Sequence, residues 1–162
     1  ITARYTPSHH QLSCRHLDVS PDGVVIAGYQ YEGPEWETPP LLARLDTATG
    51  EFSEPELPLE ELAGLRNYTA SIAISRHAPL AVITAPLGNR AIIINYRTGE
   101  LLQRIAVQDV AGALPFGERD FVVSSGSGGV YVLSADSDQA LPHGSYPVRW
   151  DNHLTPGQFI GA

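Results

Sequence analysis

One strand pattern recurs along this chain at an interval of about 40 residues. Three units open with short apolar runs, at 17–20, 72–75 and 111–114. The second and third units then repeat two β-rich runs, 81–85 with 121–125 and 91–96 with 129–134. An interval of about 40 residues between short strands is the period of a four-stranded propeller blade. Because three blades do not close a ring, the pattern predicts an all-β fragment of a larger β-propeller.

The blade boundaries follow from the turns between these strands. We expect residues 1–162 to form one partial propeller, with three blades at approximately 11–57, 68–108 and 109–146. Thr-Gly-Glu triplets at 49–51 and 98–100 indicate the outer hairpin of the same motif in two blades. Residues 147–154 are predicted to begin a further edge strand, with Val148–Trp150 at its centre.

Four further segments interrupt or connect the strands. Ser20–Gly23 has the composition of a tight turn, and Gly126–Gly129 predicts a hairpin turn, since it lies between two strands and no Lys follows. Leu59–Leu65 has the spacing of a short helix between blades. The Pro-rich insertion 31–40 carries Trp36, a candidate contact residue.

Composition excludes some classes of function and leaves the compartment open. The net charge of −8 argues against nucleic-acid binding, and no apolar run is long enough to span a bilayer. The chain contains no Met and begins at Ile1, so we expect a mature, cleaved or excised start, with any targeting signal upstream. The single cysteine, Cys14, is interpreted as a small core side chain in a strand.

Several polar side chains lie near the predicted first strands of the blades. His9, His10 and His16 cluster near the start of the chain, and His153 follows Asp151-Asn152 near its end. One interpretation is a cluster that lines the central channel, and the other is a set of histidines that bond to backbone at strand ends. Asp18 and Asp109 are further channel candidates; for Asp109 the alternative is a cap on a tight turn between blades.

Several short sequence motifs of this chain also resemble those of a known family. HQLSCRHL at 10–17 and WDNHL at 150–154 are its specific elements, and looser matches fall in order between them. Nearly the whole chain is similar to the C-terminal half of the bacterial domain-of-unknown-function family numbered 1513, a group resembling seven-bladed propellers. The resemblance implies a periplasmic location and a link to iron uptake. It also implies channel residues at the matching positions, namely His10, Arg15, His16, Asp151, Asn152 and His153.

The sequence therefore leaves three hypotheses of function open. The first is a periplasmic propeller-type binding or interaction module of unknown ligand, linked to metal (iron) acquisition. The second is a hydrolase or oxidoreductase of the lactonase or quinoprotein type, with a channel-bound cation. The third is a structural scaffold. No catalytic residue is assigned, and a divalent metal is one candidate cofactor. The expected partner is the remaining half of the propeller or a second copy.

Overall fold

A computed structural model describes residues 8–157, which form three four-stranded antiparallel sheets in chain order. Sheet 1 contains β1 (Leu12–Val19), β2 (Val24–Tyr31), β3 (Leu42–Asp46) and β4 (Phe52–Ser53). Sheet 2 contains β5 (Ile72–Ile74), β6 (Leu80–Ala85), β7 (Arg90–Asn95) and β8 (Leu101–Ala106). Sheet 3 contains β9 (Val110–Phe116), β10 (Asp120–Ser125), β11 (Gly129–Ser134) and β12 (Leu141–Ser145). The all-β class and the number of blades are confirmed.

The outer hairpins of sheets 1 and 2 use the same turn chemistry. In Asp46–Glu51 and Asn95–Glu100, the first side chain accepts a hydrogen bond from the amide two residues on, at 2.9 and 3.0 Å. The glycine of each turn, Gly50 or Gly99, has a positive φ of 76° or 78°. Glycine adopts this left-handed backbone without a steric penalty. The shared Thr-Gly-Glu triplet therefore marks equivalent hairpins, as predicted.

Sheet 2 is buried between its two neighbours. Every residue of β6 is buried, and so are the four central residues of β7. One hydrophobic cluster joins sheet 1, helix α1 (Leu59–Leu65) and one side of sheet 2; a second cluster joins the other side of sheet 2 to sheet 3. The near-continuous apolar runs in β6 and β7 are thus explained by burial on both faces.

The two outer sheets each turn an apolar row away from sheet 2. In sheet 3, Phe121 and Leu133 pack towards sheet 2. Since side chains alternate along a strand, the next row lies on the far face. Its members are paired across the strands in the order Leu114, Val122, Val132 and Leu141. In sheet 1 the corresponding row is Val19, Val25, Leu45 and Phe52. Among residues 8–157, no other sheet covers either row.

Helix α1 is anchored on sheet 2 by a buried carboxylate. The helix has the predicted bounds and buries Leu62 and Leu65 together with Glu61. The Glu61 side chain is ion-paired with Arg104 of β8, and its other oxygen lies 3.7 Å from Arg90 Nη1 of β7. A buried carboxylate needs such partners, because an unpaired charge in the interior is costly.

Two expectations from the sequence are wrong. Val148–Trp150 forms no strand, because Pro147 lacks an amide hydrogen and the Val148 amide donates to the carbonyl of Tyr146 at 2.8 Å, which turns the chain. The last strand in the described residues is therefore β12, the fourth strand of sheet 3. Cys14 lies in β1, as expected, but it is exposed rather than in the core. Most of β1 after Leu12 faces away from the core.

The predicted turn at Ser20–Gly23 also joins sheet 1 to sheet 2. Ser20 Oγ donates to Asp22 Oδ1 at 2.6 Å, and Arg97 Nη2 donates to Asp22 Oδ2 at 2.7 Å. Tyr96 donates from its hydroxyl to the same carboxylate at 3.0 Å. These bonds, led by that from Ser20, lower the pKa of Asp22 to about 2.

This pKa predicts a specific acid sensitivity. Because the pKa of Asp22 is lower in the folded chain than in the unfolded chain, its contribution to stability is present above about pH 4 and is lost as the pH falls towards 2. Asp22→Asn is expected to flatten this part of the curve of unfolding midpoint against pH. The control Asp138→Asn removes an exposed aspartate and should leave the curve unchanged. Identical curves for wild type and Asp22→Asn would contradict the assignment.

In residues 8–157, no helix has the length and apolar character that crossing a membrane requires.

Candidate binding site at the inner strands

The first strands of the three sheets lie side by side and line a common cavity. Strand β5 contacts both β1 and β9. The space beside them has a volume of about 440 Å³, and we call it the inner-strand cavity. Its lining comes from all three strands and from the segment that follows sheet 3: His16, Leu17, Asp18, Ser71, Ile72, Ala73, Arg76, Ala113, Leu114, Pro115, Asn152, His153, Leu154 and Pro156.

A β-bulge in β1 separates Arg15 from His16. The pairing of β1 with β2 shifts between Cys14 and His16, so that Arg15 is the extra residue. Bulges of this kind redirect side chains. Arg15 pairs with Glu32 at 3.2 Å and does not line the inner-strand cavity, whereas His16 does.

The segment after sheet 3 brings His153 to the first strands. Trp150 Nε1 donates to the carbonyl of Gly128 at 3.3 Å, and Asn152 Nδ2 donates to the Tyr68 hydroxyl at 3.2 Å. The segment also packs closely on β9, where a Cβ at Gly112 would lie only 2.8 Å from Leu154 Cγ. A glycine is therefore required at this approach.

His16 and His153 face each other in the inner-strand cavity. Their ring centroids are 4.9 Å apart, with an interplanar angle of 53°. Burial lowers the pKa of His16, and the positive charges of His153 and Arg15 lower it further, while Asp151 opposes the shift. A neutral imidazole can accept a hydrogen bond or bind a metal through a ring nitrogen. The histidine pair is therefore the part of the cavity best suited to accept a hydrogen bond or to bind a metal.

Asp18 and Arg76 form an ion pair at the edge of this cavity, which together with its hydrogen bonds we call the Asp18–Arg76 clip. Asp18 Oδ2 accepts a hydrogen bond from the Ile74 amide at 2.8 Å, and Asp18 Oδ1 lies 3.5 Å from Arg76 Nη2. Arg76 Nη1 in turn donates to the carbonyl of Val19 at 2.8 Å. Asp18 thus joins sheet 1 to sheet 2. Arg76 was not predicted from the sequence, because no local pattern links it to a strand so distant in the chain.

Four of the predicted channel residues do not line the inner-strand cavity, namely Arg15, described above, and His10, Asp109 and Asp151. Asp151 is exposed beside the cavity residue Asn152. His10 is exposed in the turn before β1. Asp109 has a φ of 50°; its amide donates to Asn89 Oδ1 at 2.8 Å, and its carbonyl accepts from the Gly126 amide at 2.9 Å. This geometry agrees with the alternative that Asp109 caps the turn between blades. Asp109 lines a separate cavity with Arg149.

The arrangement supplies two nitrogen donors rather than a complete metal site. Within residues 8–157, no three His, Cys, Asp or Glu side chains are grouped so that they could hold a metal ion. Transition metals bound by protein alone ordinarily have at least three side-chain ligands. A metal at His16 and His153 would therefore need ligands from another molecule or another part of the propeller.

The chain belongs to the family described as "Protein of unknown function (DUF1513)", whose model matches residues 2–156. The resemblance found in the sequence is thereby confirmed. No curated protein matches the chain.

Solved structures share the fold at low sequence identity. Hydrazine synthase of Kuenenia stuttgartiensis is similar with a TM-score of 0.68 and 12% identity, covering 93% of this chain and 42% of that chain. The computationally designed Ika4 protein has a TM-score of 0.67 and 15% identity, over 94% of this chain and 85% of that one. A catalytically inactive virginiamycin B lyase from Staphylococcus aureus, with quinupristin, has a TM-score of 0.66 and 13% identity, over 88% and 44%. The chain thus spans less than half of two of these proteins, and the likeness is one of propeller-like fold.

Proposed function

We propose that this family member is a propeller-type binding and interaction module whose ligand occupies the inner-strand cavity. The observation that supports this most directly is the convergence of His16 and His153 in a cavity shared by the first strands of all three sheets. A periplasmic location is part of the proposal and is supported by the family resemblance.

The proposed ligand is a metal ion already held by a small chelator, consistent with a role in metal acquisition. Two imidazoles can fill two positions of a coordination sphere, and the chelator would supply the others. The lowered pKa of His16 keeps this ring neutral near pH 7, so that it need not lose a proton before it binds.

Calorimetric titration with nickel nitrilotriacetate tests this proposal, since that chelate leaves two coordination positions open. His16→Ala or His153→Ala is expected to weaken binding about tenfold or more, because either change removes one of two donors. His10→Ala is the matched control, since His10 is exposed outside the cavity. Equal affinity of wild type, His16→Ala and His153→Ala would contradict the proposal, as would a loss confined to His10→Ala.

The proposed partner is a further set of propeller sheets that covers the two open apolar rows. Such sheets would come from the remaining part of the propeller or from a second copy of this chain. The rows support this because Leu141 is 58% exposed and Val19 is 40% exposed at the edges of otherwise apolar sheet faces. The short span of the chain relative to hydrazine synthase and virginiamycin B lyase is consistent with it.

A further inference from the structure

A second cavity lies between the β2–β3 connection and the end of α1. Its volume is about 590 Å³, larger than that of the inner-strand cavity and sufficient for a small organic molecule. Tyr31, Trp36, Arg66, Asn67, Tyr68 and Leu87 are among the residues that line it. None of these residues lines the inner-strand cavity, so the two spaces present different chemistry.

An insertion that the other sheets lack builds one wall of this cavity. The β2–β3 connection spans residues 32–41, whereas the equivalent connections in sheets 2 and 3 span only 86–89 and 126–128. Two antiparallel strands need only a short turn, so the length of the first connection is not required by the sheet. Longer loops of this kind commonly carry binding residues.

The opposite wall is held in an uncommon backbone conformation. Arg66 and Asn67, which are consecutive, have positive φ values of 53° and 57°. Asn67 Nδ2 donates to the carbonyl of Glu37 at 3.0 Å, and the Tyr31 amide donates to the carbonyl of Asn67 at 2.9 Å. These bonds tie the end of the helix to the insertion. Non-glycine residues in the left-handed region persist where their surroundings hold them, and they are frequent at ligand sites.

Arg66 is exposed at this wall without a carboxylate partner. All ten basic residues of the chain are arginines, against eighteen acidic residues. Among described residues, ion pairs form at seven arginines, namely Arg15, Arg44, Arg76, Arg90, Arg97, Arg104 and Arg119. Arg66 forms none with any described side chain. In so acidic a chain, an unpaired guanidinium on a cavity wall is suited to a bound anion.

Two large apolar side chains lie at the same cavity in contact with solvent. Trp36 is 84% exposed and Leu87 is 57% exposed. The flat indole of a tryptophan can stack on a planar ring. A rigid planar ligand need not change its conformation in order to bind in this way. Glu35 lines the insertion side of the cavity, so a ligand's negative group is expected at Arg66 rather than there.

We propose that this cavity is a second ligand site, which binds a planar aromatic carboxylate. The ring would stack on Trp36, and the carboxylate would pair with the guanidinium of Arg66. This site is separate from the inner-strand cavity, and its occupation does not depend on the histidine pair.

Calorimetric titration with 2-naphthoate tests the proposal on the full chain, with the neutral 2-naphthamide as the matched ligand. Saturable binding of 2-naphthoate is expected, and Arg66→Gln should weaken it about tenfold, as should loss of the charge in 2-naphthamide. Trp36→Ala should weaken both ligands, and because Trp36 is largely exposed, this variant should fold normally.

Arg149→Gln is the control, since Arg149 is exposed at a different cavity and likewise lacks an ion pair with described residues. Its affinity for 2-naphthoate should equal that of the wild type. Absence of saturable binding would overturn the proposal. So would equal affinities for 2-naphthoate and 2-naphthamide, or an equal loss in Arg66→Gln and Arg149→Gln. The histidine variants should bind 2-naphthoate as the wild type does, which separates this site from the proposed function.

Discussion

Replacing Phe121 with alanine is expected to lower the free energy of unfolding by about 4 kcal/mol. Phe121 lies in β10, is fully buried, and belongs to the hydrophobic cluster that joins sheet 3 to sheet 2. The smaller side chain would lose that contact and leave a cavity between the two sheets. Chemical denaturation followed by circular dichroism measures the change.

Phe116→Ala is the matched control, because Phe116 lies in the neighbouring strand β9 and is 56% exposed. Its effect should be within about 0.5 kcal/mol of zero. A comparable loss in the two variants would show that Phe121 is not the core contact described here.

Glu61→Ala is expected to cost about 3 kcal/mol of unfolding free energy. The change would remove a carboxylate that is only 4% exposed and leave Arg90 and Arg104 without their shared partner. The Nε atom of Arg90 is already buried without a hydrogen bond, so its charge would then be uncompensated. Denaturant titration gives the difference.

The same helix offers a control for this second prediction. Glu60 is next to Glu61 in the first turn of α1 but is exposed. Glu60→Ala should change stability by less than about 1 kcal/mol, since it removes only a surface charge near the helix start. If Glu61→Ala were as mild as Glu60→Ala, the ion pairs of the buried Glu61 carboxylate would not be what anchors α1.

Local chemistry explains why much of the fold was predictable. The Thr-Gly-Glu hairpins, the turn at Ser20–Gly23 and the helix Leu59–Leu65 each depend on neighbours within a few residues, and the structure contains all three. The exception near the chain end is also local in origin. Val148–Trp150 has the composition of a strand, but Pro147 and the turn at Tyr146 end the pairing first.

The candidate sites were less predictable, because they depend on contacts between distant segments. His16 and His153 were candidates from the sequence, but the approach of their rings to 4.9 Å depends on Gly112 and on the hydrogen bond from Asn152 to Tyr68. The Asp18–Arg76 clip joins β1 to the turn after β5, and the sequence around neither residue predicts it. Trp36 was identified on its insertion, whereas the cavity it shares with Arg66 forms only when the helix end meets that loop.

We infer that the three sheets, with their two open apolar rows, form an incomplete propeller. In the isolated chain, the row on sheet 3 of one copy can pack against the row on sheet 1 of another, and two such contacts would close a ring. Val132→Asp, which would place a charge in the middle of the sheet 3 row, is expected to prevent this contact.

Light scattering coupled to size-exclusion chromatography measures the mass of the isolated chain in solution. We expect a wild-type mass of about twice the 17.5 kDa of one chain, and a shift towards the mass of a single chain in Val132→Asp. A wild-type protein that stays a monodisperse 17.5 kDa monomer across the concentrations measured would contradict it.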